Sequence, residues 1–172
     1  MQFLTNHCFL RFTLAALFMA QFATDVFANE YTFAPESCEF NIAFPVKYNS
    51  KTLVKDGVEG LAATAKISNS ISAQAECWSQ NNDISISSYA KSIEVESKNR
   101  GILVDSVIID NNTIKSVGTQ VVLNGRISIN NKYSFVKFIS TFGKYSRLDL
   151  IVIDDELASS NYVKLRNSIL KR

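Results

Sequence analysis

The sequence predicts an α+β domain: an antiparallel β-sheet with helices packed on both faces, an α/β/α sandwich. Three observations carry that expectation. Residues 119–154 read as three consecutive strands, TQVVLNGRISI, YSFVKFISTF and YSRLDLIVID, separated only by Asn130-Asn131-Lys132 and by Gly143-Lys144. Links this short join antiparallel neighbours and not parallel ones. The second and third of these strands are apolar at both parities: Phe135 and Ile139 against Val136, Phe138 and Phe142, then Leu148, Leu150 and Val152 against Ile151 and Ile153. Such strands need cover on both faces. Finally, Ala158, Tyr162, Leu165 and Ile169 form one apolar stripe at helical spacing, able to cover one of those faces.

In chain order, the first 28 residues are set apart from this domain. Arg11 precedes an apolar run over residues 12–22, and Val26-Phe27-Ala28 places acceptable residues before a signal-peptidase cut between Ala28 and Asn29. The rival reading is a membrane anchor, but the run is short for a bilayer and Asp25 interrupts its far side. The division is thus a cleaved signal at 1–28 and a single α+β domain at 29–172, placed in the periplasm or secreted, with no membrane span once the signal is removed. Cys8 falls inside the signal without a lipidation context. Cys38 and Cys77 then form an even pair in an exported chain, which reads as one disulfide. Two inert buried thiols are the alternative, and two cysteines are too few for a metal site.

Residues 38–46 alternate Cys38, Phe40, Ile42 and Phe44 with Glu39, Asn41 and Ala43, a half-buried strand ended by Pro45. Residues 52–58 give a weaker strand before Gly57 and Gly60. Residues 61–78 keep one alternation across Ser68-Asn69-Ser70, as one long bent strand or two strands joined by a tight turn. Cys38 at one strand start and Cys77 at another strand end would meet if those strands were antiparallel neighbours, with Trp78 packed on the bridge. Residues 79–83 read as a turn and 84–89 as a short alternating strand. Residues 99–111 fit a helical period that could cover the second sheet face, although the branched residues of ILVDSVIID also suit a strand. The first strand of the meander is more one-sided, with Val121, Leu123, Ile127 and Ile129 against Asn124, Arg126 and Ser128, and so belongs near an edge. Asp154-Asp155-Glu156 open the final helix at the positive end of its dipole, with Lys164, Arg166 and Lys171 toward the other end.

Composition excludes more than it selects. The formal charge of +2 comes from singly scattered residues, with no basic block for nucleic acid or a membrane surface. His7, the only histidine, leaves with the signal, so Ser-His-Asp and Cys-His chemistry is excluded from the mature chain. The six glycines are scattered and make no phosphate loop. Carboxylate chemistry has candidates in Asp105, Asp110, Asp149, Asp154, Asp155 and Glu156, but no pair is singled out. Asp149 interrupts an apolar strand, which a cross-strand partner such as Lys137 would explain. The acidic trio at 154–156 could bind a metal, but helix capping accounts for all three residues. Asn111-Asn112-Thr113 matches a short glycosylation pattern that chance supplies freely. No cofactor and no catalytic residue is therefore assigned.

Read together, VLNGRISI, the two strands after it and the terminal NYVKLRNSILK resemble the C-terminal half of a PsbP-like domain. Gly125, Tyr162 and Ser168 stand at the positions of its glycine and of the aromatic and serine of its last helix. Cys38-Glu39-Phe40, Phe44-Pro45 and Cys77 resemble small exported bacterial members. The resemblance implies an antiparallel sheet sandwiched by helices and a role in binding or assembly; its pattern carries no catalytic residues. The leading expectation is an exported, non-enzymatic binding or assembly protein of the bacterial envelope with a protein partner. A carboxylate- or metal-dependent enzyme and a secreted inhibitor or toxin-like factor are the alternatives.

Overall fold

The computed structural model describes residues 30–80, 84–111, 118–156 and 160–172. The signal, the Ala28–Asn29 junction, Asn112, Thr113 and Ala158 lie outside them. Ten strands and two helices are present among the described residues: β1 (Tyr31–Phe33), β2 (Phe40–Phe44), β3 (Asn49–Lys55), β4 (Val58–Lys66), β5 (Ser72–Ser79), α1 (Ile86–Asn99), β6 (Leu103–Asp110), β7 (Gln120–Ile129), β8 (Lys132–Phe142), β9 (Ser146–Asp154), α2 (Ser160–Asn167) and β10 (Leu170–Lys171). They build two antiparallel sheets, a small one ordered β1-β2-β10 and a seven-stranded one ordered β3-β4-β5-β9-β8-β7-β6.

The meander over 119–154 is present as β7, β8 and β9, and it occupies one half of the large sheet. Its first turn places Asn130 and Asn131 both at positive φ, 51° and 62°, the twist a two-residue hairpin needs. Asp56 and Gly57 repeat that solution between β3 and β4, at 52° and 78°. The two-strand alternative for residues 61–78 is the one observed: β4 and β5 pair from Gly60↔Trp78 to Lys66↔Ser72.

Directly opposed residues of antiparallel strands share a face, so the register assigns each side chain. One face carries Ala63, Ala65, Ala73, Ala75, Cys77, Leu148, Leu150, Val152 and Ile139. The small sheet and α2 bury it, adding Phe40, Ile42, Phe44, Tyr162, Leu165 and Ile169 to a single core. Small alanines on β4 and β5 leave volume that the large side chains of β2 fill, which keeps the interior at native density. The opposite face carries Val121, Leu123 and Phe142, which pack with Ala90 and Ile93 of α1.

Several expectations are corrected here. Among the described residues the fold is mostly β, with two antiparallel sheets and two short helices, and it is not the expected α/β/α sandwich: one face of the large sheet is covered chiefly by the small sheet. The layer over the alanine face is chiefly a second sheet, because β2 finds antiparallel partners in both β1 and β10. Residues 86–99 are helix where 84–89 read as a short strand, and 103–110 are strand, the alternative for ILVDSVIID, in place of a helix over 99–111. Ser85 caps α1 by accepting from the Ser88 N–H, and Glu94–Lys98 and Glu96–Arg100 pair at i,i+4 along it. ILVDSVIID instead adds to the sheet against β7, where its branched residues suit an extended chain. Among the described residues the final helix spans Ser160–Asn167 with no acid in its first turn, and Asp154 belongs to β9 instead of opening that helix.

The disulfide joins Cys38 and Cys77, with Cα atoms 6.0 Å apart. It does not link sheet neighbours: Cys38 leads into β2 of the small sheet and Cys77 lies in β5 of the large one, so the bridge staples two layers. Trp78 has the opposite parity to Cys77 and turns away from the bridge. Its ring lies against Gly60, where an added Cβ would come within 2.6 Å of it, and its Nε1–H donates to Glu76 Oε2 at 3.0 Å. Only glycine permits that approach.

Candidate functional site

The carboxylates that could have formed a catalytic pair are dispersed. Asp105 on β6 pairs with Arg126 at 2.8 Å, and Asp110 at the end of β6 pairs with Arg166 of α2 at 2.9 Å. Asp155 accepts from the Ser134 hydroxyl at 2.9 Å. Asp154 ends β9 buried, with Oδ1 accepting the Glu156 N–H at 2.9 Å; Oδ2 has no partner among the described residues. Asp149 and Asp154 sit five positions apart on one strand and therefore face opposite ways. Among the described residues no group of three His, Cys, Asp or Glu side chains is placed to hold a metal ion.

Asp149 is the centre of a buried polar cluster on the α1 face. Arg147, two residues before it on the same side of β9, donates through Nε at 2.9 and 3.0 Å and lies 2.9 Å from Oδ2 through a terminal nitrogen. Ser140, opposed to Asp149 across β8, donates at 2.6 Å. The Tyr89 hydroxyl of α1 lies 2.8 Å from Ser140 Oγ and 3.4 Å from Asp149 Oδ1, and the Arg147 guanidinium stacks 4.8 Å from the Tyr89 ring. Glu76 opposes Asp149 from β5 and takes bonds from Trp78 and Gln74. Burial pushes the Asp149 carboxyl above its usual range, while Arg147 and Ser140 pull the other way. Burial and the carboxylate beside it push the Tyr89 phenol well above its ordinary value, so it stays protonated and cannot serve as a base. Burial works against the Arg147 charge, but Asp149 outweighs it and holds the guanidinium protonated.

Every group in this cluster is turned toward another, and Asp149 is only 4% exposed. The arrangement anchors α1 to the sheet through the Tyr89 hydroxyl. Lys137 is not the partner of Asp149: it opposes Val152, faces the other side and sets its ammonium 4.1 Å from the centre of the Tyr162 ring. Sequence reasoning missed Glu76, Tyr89, Ser140 and Arg147. The available signal was the Arg147-x-Asp149 spacing, which puts both charges on one strand face once the Gly143-Lys144 turn fixes the register against Ser140.

The accessible chemistry is at the sheet's edges. β6 ends the strand order, and its outer side is unpaired among the described residues. It presents Leu103, Ile108 and Ile109 at 51%, 52% and 41% exposure, on both faces of the sheet. Its two acids are already engaged by Arg126 and Arg166. Unpaired backbone N–H and C=O groups flanked by exposed branched side chains form a template for another strand. The opposite edge, β3, has the sequence NSKTLVK and sets Lys51 and Lys55 along its length, a common guard against strand addition.

Comparison with protein-family models and with curated proteins gives no match for this chain. Among the described residues no helix is long and apolar enough to cross a membrane. The bridge between Cys38 and Cys77 is compatible with an oxidising, exported location.

Proposed function

We propose that this chain is an exported, non-enzymatic binding domain of the bacterial envelope that engages a protein partner by strand addition along β6. The observation that carries the reading is the β6 edge itself: the last place in the strand order among the described residues, three exposed branched residues and acids neutralised within the chain. The buried polar cluster supports the reading indirectly, because its groups are consumed in holding α1.

Site-specific photo-cross-linking in the producing cell tests this. A photoreactive residue at Ile108 or Ile109 is expected to give discrete protein adducts, and one at Val54 on β3, 69% exposed, is expected to give none. Equal labelling from both edges, or no adduct from β6, overturns the reading.

A further inference from the structure

We infer that the partner on β6 is a second copy of the chain, joined by antiparallel pairing of β6 with β6 about a two-fold axis at Ile108. This deepens the reading of β6 as the interaction edge and rests on it. A two-fold axis at that residue opposes Ile108 to its own copy, Val107 to Ile109 and Ser106 to Asp110. The first pair lies on the face shared with Val122, and the second on the face shared with Leu123 and Val121. Apolar residues thus meet apolar residues on both faces, and the only charge in the register meets a hydroxyl, which can donate to it. No like charges are brought together.

The position of the bulge agrees with this span. The irregularity in β6 falls between Val104 and Ser106, so residues 106–110 form the regular part that can pair, while Leu103 lies beyond the kink. Val107 already packs against the core under α1, so pairing through Ile109 would extend that core across the axis. The β3 edge fails the same test. A two-fold axis at its apolar centre, Leu53, opposes Lys51 to Lys55 twice, and like charges directly opposite are destabilising. Charge does not draw β3 of one copy to β6 of another either, since Lys55 is paired with Glu96 and the β6 acids with arginines. A self-complementary β6 contact closes at two copies, whereas a β3-to-β6 contact would propagate. Edge pairing alone covers less surface than a standard interface, so the dimer should be concentration-dependent.

Sedimentation of the purified chain with its bridge intact, over a range of concentrations, is expected to show a monomer–dimer equilibrium. Ile108→Lys places two ammonium groups opposite each other at the axis and should raise the dissociation constant about a hundredfold; Val54→Lys on β3 should leave it unchanged. As a second measurement, Ile108→Cys should form an intermolecular disulfide on mild oxidation, since directly opposed strand residues lie within bridging reach; Val54→Cys should not. A monomer at all concentrations without the Ile108→Cys cross-link overturns the inference, as does a dimer insensitive to Ile108→Lys. In either case photo-cross-links from Ile108 to a different protein would leave the β6 reading standing, and their absence would remove both.

Discussion

On one face of the seven-stranded sheet, Phe40, Ile42 and Phe44 of β2 join Leu165 and Ile169 over the alanine row of β4 and β5; on the other, Ala90 and Ile93 of α1 meet Val121, Leu123 and Phe142. The first cover is assembled from segments more than a hundred residues apart, and β10 has only two residues with which to hold β2. The second is local, because α1 lies between β5 and β6 and packs against the strand that follows it. Remote segments must overcome more chain entropy before their contacts stabilise anything. The alanine face is accordingly latched: by the Cys38–Cys77 bridge, by Ser168 Oγ between the N–H and C=O of Ala43, and by the Arg172 N–H donating to the Glu39 carbonyl. The helical face needs no covalent tie. It uses one buried polar anchor, and there the two faces should fail differently.

The largest effect should come from that anchor. Asp149→Ala removes the acceptor of Arg147 and Ser140 and leaves a guanidinium with a side chain only 17% exposed facing apolar surroundings. Breaking one partner of a buried pair costs about 3–5 kcal/mol, and urea denaturation monitored by Trp78 fluorescence reads it. Replacing both partners, Arg147→Met with Asp149→Leu, should recover most of the loss. If the double variant is as unstable as the single, the cluster does more than satisfy its own charges.

Next in size is the staple on the opposite face. The cysteines are 39 positions apart, and closing such a loop restricts the unfolded chain by about 4 kcal/mol in the entropic account. Cys38→Ser with Cys77→Ser should lower stability by about 2–4 kcal/mol. Hydrogen exchange should then rise first in β1, β2 and β10 and leave β7 and β8 protected. Uniform loosening would mean that the small sheet and the large one unfold as one unit, and the contrast between the faces would lose its basis.

What the sequence made legible follows the same division. The meander and the β4–β5 hairpin were readable because period-two alternation and turn residues such as Asn130-Asn131 act locally. The bridge was also readable, although its geometry was not: nothing near Cys38 shows that β2 leaves the large sheet to pair with β1 and β10. That 86–99 is helix and 103–110 strand has a physical cause. Residues 84–89 alternate like a strand, yet Ser85 as cap, Ile86, Tyr89, Ala90 and Ile93 as a stripe, and two i,i+4 ion pairs favour helix over the longer window. Apolar branched residues in ILVDSVIID satisfy both periods, and only the vacant place beside β7 decides. The polar cluster was hidden because it needs α1, β8 and β9 in place at once.

The smallest effect, and the one that separates the faces by pH, belongs to Glu39. Burial works against its charge, but N–H groups of Tyr145 and Ser146 at 2.6 and 2.9 Å, together with the Lys144 N–H and the charge of Lys171, outweigh it and hold the carboxyl below its ordinary value. A carboxyl depressed in the folded state contributes stability above its unfolded pKa and loses it as pH falls through the folded value. Asp149 is shifted upward, so its contribution is present at low pH and is lost as pH rises through its folded value. Acid loosening should therefore trace to the Glu39 latch over the alanine face and not to the helical anchor. Glu39→Gln should cost under about 1 kcal/mol at neutral pH, and its difference from the parent chain should vanish well below the ordinary carboxylate range. A difference that persists unchanged into acid would show that the latch depends on the side chain's shape and hydrogen bonds, with no part played by its charge.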